Sequence, residues 1–159
     1  MSNRHGLLHL YLAIITAAFG LVTAGHAVEL DPKAVAYQTP EQFKWRDPTM
    51  AVATNQTILY GDPNKTGGIY IYINKFKPGR FGNAHSHPND RYITVLSGTW
   101  WVGTGNKFDP ANLTVPMKEG TFVTHFAKGV HWDGARDEDT TIILIGEGPA
   151  TNTRVEEAK

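Results

Sequence analysis

The sequence predicts an all-β fold in a single domain. Three observations carry that prediction. Beyond residue 50 the chain runs in short apolar stretches of period two, Gly, Pro, Asn or Asp separates most of them, and no useful window shows apolar residues at helical spacing between capping signals. The 159 residues, 41% hydrophobic and 11% aromatic, suffice for one packed core and not for two. Basic and acidic residues balance at 15 each, which leaves no electrostatic footprint for nucleic acid and no acidic tail.

The elements follow in order. MSNRHG carries one Arg, LLHLYLAIITAAFGLVTA is almost wholly apolar, and Gly25-His26-Ala27 places small residues where a signal peptidase reads. Residues 1–27 are therefore expected to be a cleaved secretory signal, which puts the mature protein in the periplasm or outside the cell. The alternative is an uncleaved anchor, because the run approaches the ~20 residues that span a bilayer; His9 interrupts it and the GHA tripeptide favours cleavage. Without Arg4 the 15 basic residues become 14 against 15 acidic, a nearly neutral domain. Cysteine is absent, so a metal site must draw on His, Asp or Glu. Asn55, Asn64 and Asn112 each begin an Asn-x-Thr triplet, relevant only in a eukaryotic host.

Residues 28–50 are polar, with Phe43 and Trp45 as anchors, and read as an arm or a short leading strand. The barrel is expected over 51–149. Its strands are Thr57–Gly61, Ile69–Phe76, Tyr92–Leu96, Thr99–Gly103, Thr121–Phe126 and Thr140–Ile145, all rich in β-branched and aromatic residues. Leu96-Ser97-Gly98-Thr99 reads as a tight hairpin turn. Asn106–Lys118, polar and holding Pro110 and Pro116, reads as a surface loop. Residues 150–159 read as a loose tail, and no internal repeat argues for a second barrel.

Seven histidines occur, of which His85, His87, His125 and His131 lie outside the leader. On a strand, a His-x-His pair presents both rings on one face, and a third His from a neighbouring antiparallel strand completes a facial set with open positions for water or substrate. The surroundings sharpen this weak motif. Gly79, five residues, His85-Ser86-His87, three residues, Arg91, six residues and Gly98 resembles the first signature of the cupin superfamily. The second begins at Gly120 and lands its histidine on His131. The resemblance spans about Ile69 to Ile145 and implies a cupin jelly-roll β-barrel with one divalent metal near its mouth, held by His85, His87 and His131. It does not imply one reaction, since cupins include dioxygenases, isomerases, lyases and sugar-binding and storage proteins. HSHPNDRYITVLSGTWWVG and HFAKGVHWDGA are similar to small exported bacterial cupins.

Departures from the signatures are as informative. Arg91 stands where a ligand Glu is usual, and Phe126, Lys128 and Ala135 replace Pro, Gly and Asn. A three-His set lowers the ligand charge and suits Fe, Zn, Cu or Ni better than the harder Mn or Mg. His125 shares strand parity with Val123 and is read as a further ligand, an outer hydrogen-bond partner, a general base or a core histidine. Asp90 replaces the missing carboxylate only if Pro88 bulges the strand. Arg91 either pairs with Asp90 or another acid, or offers its fork to an anionic ligand. Trp100 and Trp101 face opposite sides, Trp132 either fills the barrel or walls a pocket, and Asp137-Glu138-Asp139 is a solvated turn. The leading expectation is a metal-dependent enzyme of dioxygenase, lyase or isomerase type, with His125 and Arg91 as catalytic residues. Its substrate would be a small, carboxylate-bearing molecule, with no nucleic acid and no membrane partner after cleavage; a homodimer is left open. The alternative is a non-catalytic cupin that binds a metal or small ligand.

Overall fold

Alternation of apolar and polar residues builds two five-stranded antiparallel sheets. The computed structural model describes residues 28–46 and 55–156, so the expected leader, the end of the expected arm, the first expected barrel residues and residues 157–159 lie outside it. Residues up to Ala36 form a separate unit whose described part is a turn in which Asp31 accepts from the backbone of Lys33, Ala34 and Val35. Everything below concerns the unit that begins at Tyr37. It opens with a 3-10 turn, Pro40–Gln42, where the Gln42 side chain accepts from Thr39 N–H at 2.8 Å. Phe43 and Trp45 then meet edge to face, with Lys75 over the Trp45 ring.

Ten strands follow: β1 (Asn55–Tyr60), β2 (Ile69–Phe76), β3 (His85–Ser86), β4 (Arg91–Ser97), β5 (Thr99–Thr104), β6 (Val115–Lys118), β7 (Phe122–His125), β8 (His131–Gly134), β9 (Thr140–Glu147) and β10 (Thr153–Arg154). One sheet runs β1-β2-β9-β4-β7 and the other β10-β3-β8-β5-β6. Consecutive strands repeatedly fall in opposite sheets, which is the jelly-roll topology. Among the described residues no helix is long and apolar enough to cross a membrane.

Three expectations change. The turn at Gly98, φ +73°, does not make a hairpin: β4 and β5 belong to different sheets, so the turn carries the chain across the barrel corner. A Cβ there would lie 2.3 Å from the Asp139 carbonyl, so only glycine fits both the dihedral and the space. The stretch read as a surface loop ends in β6, which pairs with β5 because Pro116 sits on an edge strand that can spare its N–H. The segment after Pro149 is not loose up to residue 156: β10 pairs with β3, and Val155 N–H donates to Ala84 O.

Inward positions follow the pleat. In β4 Arg91, Ile93 and Val95 are buried while Tyr92 and Leu96 are exposed, and in β9 Thr140, Ile142, Leu144 and Gly146 are buried. Register aligns these into cross-strand rungs. Tyr72, Leu144, Ile93 and Val123 form one that is apolar throughout, and the core continues through Val95, Ile142, Phe76 and Trp100. The rung before it is polar: Tyr70, Gly146, Arg91 and His125. The barrel thus has an apolar floor and a polar mouth.

On the outer side of the second sheet Trp132 is fully buried against Gly103 and meets Phe108 edge to face, so it fills structure. The loop carrying Phe108 is held by Arg136, whose guanidinium stacks on Trp101 and donates to Ala111 O and Thr114 Oγ1 at 2.6 and 2.7 Å. Trp100, by contrast, faces the core. A Cβ on Gly103 would lie 2.4 Å from the Trp132 indole, a rigid buried ring. Gly103→Ala is therefore expected to destabilise by about 3 kcal/mol, read as a lower urea midpoint at unchanged m-value.

Candidate functional site

His85 in β3 lies directly opposite His131 in β8, and His87 follows two residues later. The three rings gather with centroids 4.5 to 5.0 Å apart. Each Nδ1 is tied to a backbone carbonyl: His85 to Asn83 at 2.7 Å, His87 to Thr151 at 3.0 Å and His131 to Gly129 at 3.0 Å. A carbonyl oxygen only accepts, so Nδ1 carries the proton in all three rings and each Nε2 presents a lone pair. The potential ligand nitrogens of the set lie within 4.8 Å of one another. A backbone acceptor on the far ring nitrogen is how metal-binding histidines are held in tautomer and orientation. The residues fit a divalent metal.

His87 Nε2 has another partner. Arg91 Nη1 donates to it at 2.8 Å, so a metal that binds through His87 must displace that donor. Arg91 reaches inward because it holds a core-facing position of β4, and it is 6% exposed. It does not pair with Asp90: that carboxylate accepts from Ala127 N–H at 2.6 Å and is neither in the ligand set nor beside Arg91. The strand keeps its alternation, so the bulge on which a replacement of the missing Glu by Asp90 depended does not occur.

His125 ends β7 opposite Arg91, 8% exposed, with its ring 3.7 Å from that of His131 and an Nε2 that has no partner. With His131 and Asp133 it forms a second group able to hold an ion. Asp133, two residues beyond His131 on the same face, accepts from the Trp100 indole at 3.2 Å. Sequence reasoning passed over Asp133, although period two from His131 pointed to it. It also passed over Tyr70, which looks like a core aromatic from sequence and joins the site only through register.

Electrostatics keep His87, His125 and His131 neutral. Burial, then the Arg91 cation, pushes His87 down to about 2 against the opposing hydrogen bond from Thr151. Burial, then the neighbouring His131 and His87, pushes His125 down to about 2. Burial also lowers His131, with Asp133 acting in the opposite sense. Neutral imidazoles with fixed tautomers are ready ligands. A separate cleft of about 420 Å³, bordered by Asn83, Asn106, Phe108 and Arg154, contains none of these histidines.

No protein-family model and no curated protein matches the sequence. Solved structures do. A cupin-like protein from Thermotoga maritima aligns at 24% identity and TM-score 0.52 over 66% of this chain and 79% of its own. The polyketide cyclase RemF from Streptomyces resistomycificus aligns at 11% and 0.63 over 79% and 88%. The DMSP lyase DddQ from Ruegeria pomeroyi aligns at 14% and 0.55 over 74% and 64%. This chain spans under two thirds of the length of that lyase and of another DMSP-lyase structure, where it covers 63%. At such identities the likeness concerns architecture. The alternating assignment of strands to two antiparallel sheets, together with this structural likeness, gives the chain a cupin-like double-stranded β-helix, an all-β jelly roll.

Proposed function

We propose that the protein is an exported metal-dependent enzyme that uses His85, His87 and His131 to hold one divalent ion and acts on a small organic molecule. One observation carries this reading: three buried or half-buried imidazoles have every Nδ1 anchored to backbone and every Nε2 aimed into one space. Such an ion would supply Lewis acidity or, if it were iron, a site for oxygen activation. The protein's part is to fix three neutral ligands, exclude water with the apolar rung below, and place His125 and Arg91 beside the substrate. Lyases and a cyclase among the structural neighbours accord with such chemistry without choosing a reaction. Three neutral nitrogens favour Fe, Zn, Cu or Ni over Mn.

A binding role without turnover is the competing reading. It is favoured by His125, whose pKa near 2 lies far below the neutral range where a general base works best. Elemental analysis of protein purified from its native compartment tests both. About one equivalent of a single transition metal is expected; a protein that neither contains nor takes up metal would remove both the enzymatic and the metal-carrier reading.

A further inference from the structure

The mouth of the barrel holds a guanidinium that makes no ion pair among the described residues. Arg91 is almost fully buried, cannot lose its charge, donates Nη1 to a neutral ring, and leaves Nη2 without a partner. Tyr70, on the same rung, is 0% exposed and its hydroxyl has no partner either. Gly146 stands between them in the ladder, paired with Tyr70 on one side and Arg91 on the other. A Cβ on Gly146 would lie 2.5 Å from Tyr70 Oη, so the hydroxyl lies over the bare glycine. Arg91 already acts on that hydroxyl through its charge and through a guanidinium N–H directed at the oxygen, both opposing the larger effect of burial, which raises the Tyr70 pKa, yet the two groups are neighbours with no well-formed bond between them. Two buried donors left unsatisfied cost stability unless a ligand completes them.

We infer that Arg91 Nη2 and Tyr70 Oη form a carboxylate subsite beside the three-histidine face, so that the ligand of this barrel is a small organic acid. The inference rests on the metal-site reading only for its second half. A divalent ion takes the His87 lone pair and so releases Nη1, which turns Arg91 into a two-pronged donor. It also adds two charges to a mouth where, among the described residues, Asp133 is the one carboxylate grouped with the histidines. Metal and carboxylate therefore strengthen each other's binding, and linkage makes the effect reciprocal.

Thermal unfolding of the full chain at neutral pH tests this, metal-free and zinc-loaded, with sodium acetate replacing sodium chloride at constant ionic strength. The wild-type midpoint is expected to rise saturably, by about 5 °C at ten times the dissociation constant. Arg91→Gln should abolish the rise, Tyr70→Phe should weaken acetate about tenfold, and zinc should tighten it about tenfold in wild type. Should Arg91→Gln fail to fold, Arg91→Lys, which keeps charge without the fork, is expected to lose most of the acetate effect. No acetate-dependent rise in either form, an equal rise in wild type and the Arg91 variant, or equal protection by inorganic phosphate would overturn the subsite. Failure to take up zinc would defeat the metal reading, while the metal-free titration would still decide the subsite.

Discussion

Acidifying the metal-free protein from neutrality to about pH 4.5 is expected to cost most of its stability. His87 and His125 are neutral in the folded barrel, each pushed from 6.5 down to about 2, whereas in the unfolded chain both titrate near 6.5. The unfolded state therefore takes up protons first as pH falls. The stabilisation is complete above about 6.5 and is lost progressively between there and about 2. At about pH 4.5 each ring has given up about 3 kcal/mol, and two together approach the ~5–15 kcal/mol that holds a typical domain. His131, lowered by burial too, adds in the same direction. Urea unfolding followed by tryptophan fluorescence at several pH values checks this. A flat profile between pH 7 and 5 would mean the rings are not neutral and buried together.

Replacing His131 with Ala should reduce zinc affinity by more than about a hundredfold, beyond the ~10–100-fold that outer partners command. His125→Ala should leave affinity within about tenfold. The contrast matters because His131 belongs to both groups able to hold an ion, whereas His85 and His87 belong to one and His125 and Asp133 to the other. Competition titration with a zinc-binding dye, alongside circular dichroism to verify the fold, separates the two. Equal losses in both variants would move the ion to the His125, His131 and Asp133 group.

The long strands were legible because alternation survives wherever one face meets the core and the other water, as in Arg91–Ser97 and Thr140–Glu147. It fails where both faces are covered. His131–Gly134 is buried at all four positions, since Trp132 packs under Phe108 while His131 and Asp133 face the barrel, and no period remains to be read. Val115–Lys118 was hidden by Pro116, and Thr153–Arg154 by its shortness. The His85-x-His87 pair was legible from its period-two spacing, and His131 from the resemblance of the stretch after Gly120 to the second cupin signature. Tyr70, Gly146 and Arg91 are far apart in sequence and meet only through strand register, which spacing does not encode.

One hydrogen bond ties the site to a distant stretch of the chain. The carbonyl that fixes His87 belongs to Thr151, 64 residues further on, and β10 beside it borders the strand that carries His85. Without that last segment His87 loses its backbone anchor and β3 keeps only β8 as a neighbour. A change at the far end of the chain, such as a bulky fusion placed against β10, would therefore be felt at the histidines although it touches none of them.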